Sequence, residues 1–190
     1  MLLPNFHRWI DIPSEFHSAY EDGPFLKCLE CDCDLTRSAF PYVIQRTFKG
    51  AEPIFEMAMC LTCRNNLTEE LSKESQMRLN AFVEEHLDLE ARFERSKEWG
   101  DESIDPWLER CVISKTHRSE CREYSLTGFC LGNKISLDMG PMLVSRSVAE
   151  HCQKLVSKKS RDRFGEFIND HFGMPPEFVD SPDSYTPVMF

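Results

Sequence analysis

Apolar and polar positions change period several times along this chain, and each change marks an element. Phe40-Pro-Tyr-Val-Ile-Gln-Arg-Thr-Phe48 is rich in β-formers, and Lys49-Gly-Ala-Glu-Pro53 is turn chemistry. Ile54-Phe-Glu-Met-Ala-Met59 reads as a returning strand, so a β-hairpin is predicted. Residues 64–98 are helical by spacing. Leu79, Phe82, Val83, His86, Leu89 and Phe93 follow the pattern of one buried face. Ser72 and Ser75 are the expected break between two helices, since serine competes for backbone hydrogen bonds inside a helix. After a linker from Trp99 to Asp105, Asp105-Pro106 supplies an N-cap and a first-turn proline, predicting a short helix through Cys111.

The same order then recurs. Tyr124 to Leu131 reads as a strand, Gly132-Asn133 as the turn and Lys134 to Met139 as the return. Ser147 and Glu150 predict a capping box for one long last helix. Its apolar stripe comprises Val148, Cys152, Leu155, Val156, Phe164, Phe167 and Ile168, and Gly173 before Pro175-Pro176 stops it. No internal repeat of fixed period is evident, only two hairpin-then-helix halves. The expected class is α+β. The expected organisation is an irregular N-terminal arm (1–27), a cysteine-bearing hairpin and helical extension (28–98), a hairpin–helix unit (99–173) and a flexible tail (174–190).

Composition narrows the class. The 190 residues are 41% hydrophobic with 14 Phe, which is too apolar for a disordered chain. The longest stretch without Asp, Glu, Lys or Arg runs ten residues, Tyr124 to Asn133. That is short of the roughly 18 apolar residues of a spanning helix, so no membrane partner is expected. Met-Leu-Leu-Pro-Asn-Phe lacks the charged and apolar regions of a secretory signal. A cytoplasmic, reducing compartment is therefore expected, and the odd count of nine cysteines points the same way.

Four of those cysteines form two Cys-x-x-Cys pairs, Cys28/Cys31 and Cys60/Cys63. The first precedes the hairpin. The second leaves the return strand and opens a helix, where free N–H groups favour thiolate. Four thiolates satisfy the tetrahedral preference of zinc and close its shell. Cys33 competes with Cys31 for the second ligand position. Cys31 is preferred, because Asp32 after it tolerates the left-handed turn that a knuckle needs. The order knuckle, hairpin, helix-borne pair resembles the treble-clef zinc finger over about residues 26–75, and the resemblance implies one structural zinc on Cys28, Cys31, Cys60 and Cys63. The whole chain resembles uncharacterised bacterial-type proteins, which implies no activity. HNH-type nucleases share a related scaffold, but this sequence has no histidine between Phe25 and Asn80, and Asn65 and Asn66 alone cannot activate water.

Strand, Cys60-x-x-Cys63 and helix also match a thiol–disulfide oxidoreductase, with Pro106 as its cis-proline. Cys111, His117, Cys121 and Cys130 offer ligand types for a second metal at gaps that match no known pattern, and core thiols are preferred. Cys130 and Cys152 are expected in the core, and His86 as a core histidine. His151 and Cys152 diverge on a helix, and His171 suits a helix C-terminus. Glu84, Glu85, Asp88 and Glu90 read as a solvated face. The net charge of −10 is uneven. Residues 1–100 carry 11 basic and 18 acidic groups, whereas 110–163 carry 11 and 5. Lys154, Lys158 and Arg161 fall at helical spacing there, with Lys159 and Arg163 near, a possible nucleic-acid face. The expectation is a non-catalytic zinc protein with a protein partner, ahead of the redox and nucleic-acid alternatives.

Overall fold

The computed structural model describes residues 8–37, 40–99 and 103–173. The expected tail and the first residues of the arm lie outside them. The fold is mixed α and β, with an antiparallel sheet and six α-helices among the described residues. Strands β1 (Trp9–Asp11), β2 (Tyr42–Lys49), β3 (Glu52–Cys60), β4 (Glu123–Leu131), β5 (Lys134–Ser136) and β6 (Met142–Ser145) form one sheet. Its order is β1-β5-β4-β2-β3, with β6 also on β4. The helices are α1 (Leu61–Glu69), α2 (Lys73–His86), α3 (Leu89–Ser96), α4 (Asp105–Leu108), α5 (Arg146–Leu155) and α6 (Lys158–Phe172). No helix among the described residues is long and apolar enough to cross a membrane.

Both predicted hairpins form, and they share the sheet. β2 pairs with β4 from Tyr42↔Cys130 to Lys49↔Glu123. Gly128 lies in this ladder because a Cβ there would meet Ile135 Cδ1 at 2.6 Å and Phe16 Cε1 at 2.9 Å. Phe16 of the arm therefore packs directly on the strand backbone. On the opposite face, Phe55 of β3 meets Phe172 of α6 with ring centroids 4.8 Å apart. The arm is less irregular than expected. Three of its residues are β1, too short for a pattern to show, and the buried Arg46 side chain holds the next stretch. Arg46 pairs with Glu56 at 3.2 Å and donates to the Glu15 carbonyl at 3.0 Å, while Glu56 accepts from Ser18 Oγ at 2.7 Å.

Several expected boundaries move. The return of the second hairpin is split: β5 stops at Ser136, and β6 resumes pairing with β4 from Tyr124↔Ser145 to Thr127↔Met142. β6 carries no sequence signal of its own, since four residues, three of them apolar, show no period. It runs straight into α5, so that helix starts at Arg146 with Ser145 in the cap position. No Ser147 capping box forms, and Glu150 instead pairs with Arg146 at 2.7 Å. The last helix is two helices, broken at Val156-Ser157, and α4 ends at Leu108 rather than Cys111. A further break at Leu87-Asp88 gives α3 its own Asp88 cap and a new phase. Consequently Leu89 and Phe93 are exposed. His86 is also exposed, its Nδ1 2.9 Å from the Phe82 carbonyl, and is not a core histidine.

The two halves are an internal repeat after all. Ser72 caps α2 by accepting from Ser75 N–H, and Ser157 caps α6 by accepting from Ser160 N–H, each 85 positions on (72 to 157, 75 to 160). The contacts between the two caps are reciprocal. Ser72 N–H donates to Ser160 Oγ at 3.0 Å, and Ser157 N–H donates to Ser75 Oγ at 3.0 Å. The rings of Phe82 and His86 meet at 4.4 Å, and 85 positions later those of Phe167 and His171 meet at 4.6 Å, both pairs tilted. With β2 and β4 antiparallel, the halves face one another across an approximate two-fold axis.

Ser75 and Ser160 are buried, and each lost hydroxyl strands the N–H of the cap serine in the other half. Ser75→Ala and Ser160→Ala are each expected to lower the unfolding free energy by about 1–3 kcal/mol in urea denaturation. The two oxygens lie 3.3 Å apart. The double substitution is therefore expected to depart from additivity.

Candidate metal centre

The site begins with a turn. Cys28 N–H donates to the Cys33 carbonyl and Asp32 N–H to the Cys28 carbonyl, both at 3.0 Å. Asp32 takes φ +56°, the left-handed conformation expected after Cys31. Leu29 N–H reaches the Ala58 carbonyl at 2.9 Å and fastens the turn to β3. The next loop is held by Asp34, whose Oδ1 accepts from Thr36 N–H at 2.9 Å and Arg37 N–H at 3.1 Å.

β3 delivers Cys60 to the N-cap of α1, and the first turn of that helix carries Cys63. The sulfur atoms of Cys28, Cys31, Cys33 and Cys60 all lie within 4.8 Å of one another. Cys31 Sγ and Cys60 Sγ are 3.9 Å apart. A tetrahedron of thiolates at about 2.3 Å from zinc has edges of about 3.8 Å, so the spacing suits one ion. Cys63 contacts both Cys31 and Cys60. Five cysteines therefore surround a position that sequence reasoning had assigned to four. The signal for the fifth was present in Cys-x-x-Cys-x-Cys.

Backbone amides select among the sulfurs. Cys60 N–H donates to Cys28 Sγ at 3.4 Å, and the amides of Cys31 and Glu30 also reach that sulfur. Burial nevertheless pushes the Cys28 thiol up. The Cys33 amide on Cys31 lowers that thiol to about 7. Burial, then the neighbouring Cys31, pushes Cys33 up to about 12, and burial raises Cys63 as well. One sulfur ionises readily and its neighbours then resist. A cation removes that conflict, because it favours every thiolate at once.

The residues weighed for a second metal do not converge among the described residues. Cys130 is buried beside Tyr42. His117 turns its Nδ1 to Ser119 Oγ at 2.7 Å and its Nε2 to Glu109 at 3.5 Å. Cys111 is buried, and Cys121 is half-buried. Among the described residues, the first cluster is the one group of His, Cys, Asp or Glu that converges at metal-binding range. His151 stacks on Phe82 at 4.8 Å while Cys152 is buried. One contact near the centre was not legible beforehand: His171 Nε2, at the end of α6, lies 2.7 Å from Glu30 between the first two cysteines.

The basic stretch is largely engaged within the fold. Arg146 bonds Glu123 and Glu150, Arg163 bonds Glu70, and Arg161 donates to the Val156 carbonyl at 2.7 Å. The helix break also separates Lys154 from Lys158 and Arg161, so they share no single helix face.

Comparison with known proteins finds no matching family model, curated protein or solved structure. The chemistry of the centre therefore rests on its own geometry. In reduced, metal-free protein, Cys31 should be alkylated ahead of Cys28, Cys33 and Cys63, at a rate half-maximal near pH 7. A folded-state value below the ordinary thiol range favours the native state above the unfolded value and loses that contribution as pH falls through about 7. Mass spectrometry after brief labelling between pH 6 and 9 measures the profile.

Proposed function

We propose that this chain is a structural zinc-binding protein, with a treble-clef-like first half and a non-catalytic role in protein interaction or regulation. The observation that carries the reading is the convergence of Cys28, Cys31, Cys33 and Cys60, with Cys63 beside them, where a turn, a strand end and a helix start meet. The ligands we assign are Cys28, Cys31, Cys60 and Cys63. The amides aimed at Cys28 and Cys31 mark the knuckle pair. Cys63 stands in the first turn of α1, where helix amides favour thiolate. This assignment takes Cys63 in place of Cys33, although Cys33 is the one of the two that lies within 4.8 Å of the other three sulfurs.

When bound, zinc with four thiolates has no open position and supplies a cross-link, not water activation. The chain's own residues set the frame for it: Asp32 turns the knuckle, Leu29 docks it and Cys60 opens the helix. A thiol–disulfide exchange role for Cys60 and Cys63 would leave Cys28 and Cys31 without a purpose, and the Asp105–Pro106 peptide is trans. A protein partner is favoured over nucleic acid because most arginines of the 110–163 stretch already serve internal acceptors.

Reduced protein purified without chelator should carry about one zinc per chain by elemental analysis. Cys28→Ser and Cys63→Ser should lose it, whereas Cys33→Ser should keep it. Finding no metal in the unsubstituted protein would sink the reading, and retention of metal by Cys63→Ser would move the fourth ligand to Cys33. Loss of the ion should also lower stability, by about 4 kcal/mol relative to free zinc at roughly a thousand times its dissociation constant.

A further inference from the structure

The internal repeat places a second turn, strand and helix start in the arrangement of the first. Cys111 stands 83 positions after Cys28 (28 to 111), and its N–H donates to the Thr116 carbonyl at 2.8 Å as Cys28 N–H does to Cys33. Lys115 N–H returns to the Cys111 carbonyl at 3.0 Å, and Lys115 takes φ +60°, matching Asp32 at +56°. Val112 N–H docks on the Leu143 carbonyl at 2.8 Å, as Leu29 docks on Ala58 at 2.9 Å. The flanking bridges Lys27↔Asp34 and Arg110↔His117 are also 83 apart at both ends. A lysine in left-handed backbone is uncommon, so this agreement is not a generic property of turns.

The strand–helix junctions correspond as well. Ser145 is the N-cap of α5, as Cys60 is of α1, 85 positions on (60 to 145). The step from 83 to 85 falls within the hairpins, and in the second half the return strand is split between β5 and β6. Ser145 N–H donates to Cys111 Sγ at 3.3 Å, and Cys60 N–H donates to Cys28 Sγ at 3.4 Å. Ser114 Oγ lies 3.3 Å from Ser145 Oγ, where the first half has Cys31 Sγ 3.9 Å from Cys60 Sγ. Ser114 Oγ also bonds Thr116 Oγ1 at 2.9 Å, the counterpart of the contact between Cys31 and Cys33. The position matching Cys63 is the buried Val148.

We infer that Cys111, Ser114, Thr116, Ser145 and Val148 are a second metal-centre framework, a copy of the first. In it, a hydrogen-bonded cluster of one thiol and three hydroxyls holds the turn, strand and helix together in place of an ion. The substitutions are chemically coherent. The positions of Cys31, Cys33 and Cys60 carry hydroxyls, which are both donors and acceptors and so bond one another without a cation. The position of Cys63 carries the apolar side chain of Val148, which packs into the core. The framework rests on the reading of the first centre only for the identity of the ion. The backbone correspondence stands independently.

The test restores the missing thiols. Zinc per chain is measured for the unsubstituted protein and for the triple variant Ser114→Cys, Ser145→Cys, Val148→Cys, both refolded with excess zinc under reducing conditions and then desalted. A second triple variant replaces Val148→Cys with Thr116→Cys and so spares the core. The expected result is a gain of about one equivalent over the unsubstituted protein in at least one variant. With cobalt in place of zinc, thiolate-to-cobalt absorption should rise in proportion. No gain in either variant, folded or not, overturns the inference. The difference between variant and unsubstituted protein tests the second framework, whereas a value of zero for the unsubstituted protein alone refutes the first centre.

Discussion

The antiparallel ladder between β2 and β4 decides where everything else can go. Each strand is the first strand of its own hairpin, and pairing them joins two similar units edge to edge, with β3 on one side and β5 with β6 on the other. A central strand paired on both edges has no free backbone groups and buries both faces, so most β2 side chains are out of solvent. The arm covers one of those faces. Its attachment runs through Arg46 and Glu56, a cross-strand pair with both side chains under a tenth exposed. Such a pair adds little net stability relative to apolar packing, but removing one partner leaves a buried charge. Its effect here is positional: the pair and its backbone acceptors hold residues 14–20 in register over the sheet.

The serine caps perform the corresponding task on the helical side. A cap normally satisfies amides of its own helix. Here each of two caps also serves the other helix, so α2 and α6 start at one shared, buried hydroxyl cluster. The helix starts are thereby tied to the same approximate axis as the strands. His171, at the far end of α6, reaches Glu30 in the cysteine turn of the opposite half. The first centre is thus braced by residues distant in sequence.

Much of this was legible beforehand, and the failures share a cause. The two hairpins, the helix break at Ser72 and the stop at Gly173 depend on local chemistry: β-formers beside turn residues, a serine that competes for backbone hydrogen bonds, and a glycine that accepts positive φ. The left-handed Asp32 followed from the same kind of argument. The apolar stripe through Leu89 and Phe93 failed because its phase was carried across Asp88, where a new helix begins. β6 failed because four residues have too few alternations to define a period. The repeat was missed because few identities survive at matching positions and the offset changes from 83 to 85 within the hairpins. What repeats is the hydrogen-bond pattern, which side-chain identity reports only weakly.

The sequence by itself determined the α+β class, the pairs of cysteines and the knuckle that the first pair forms, because ligand spacing, turn chemistry and strand composition act over a few residues. Tertiary structure alone decided that the hairpins share a sheet, that Cys33 joins the sulfur cluster, and that most of the arginines between 110 and 163 serve internal acceptors. It also decided that Cys111 sits in a hydroxyl cage shaped like the cysteine site. Those outcomes depend on contacts between segments some 80 or more residues apart or on the direction of individual side chains, and neither is encoded in any local pattern.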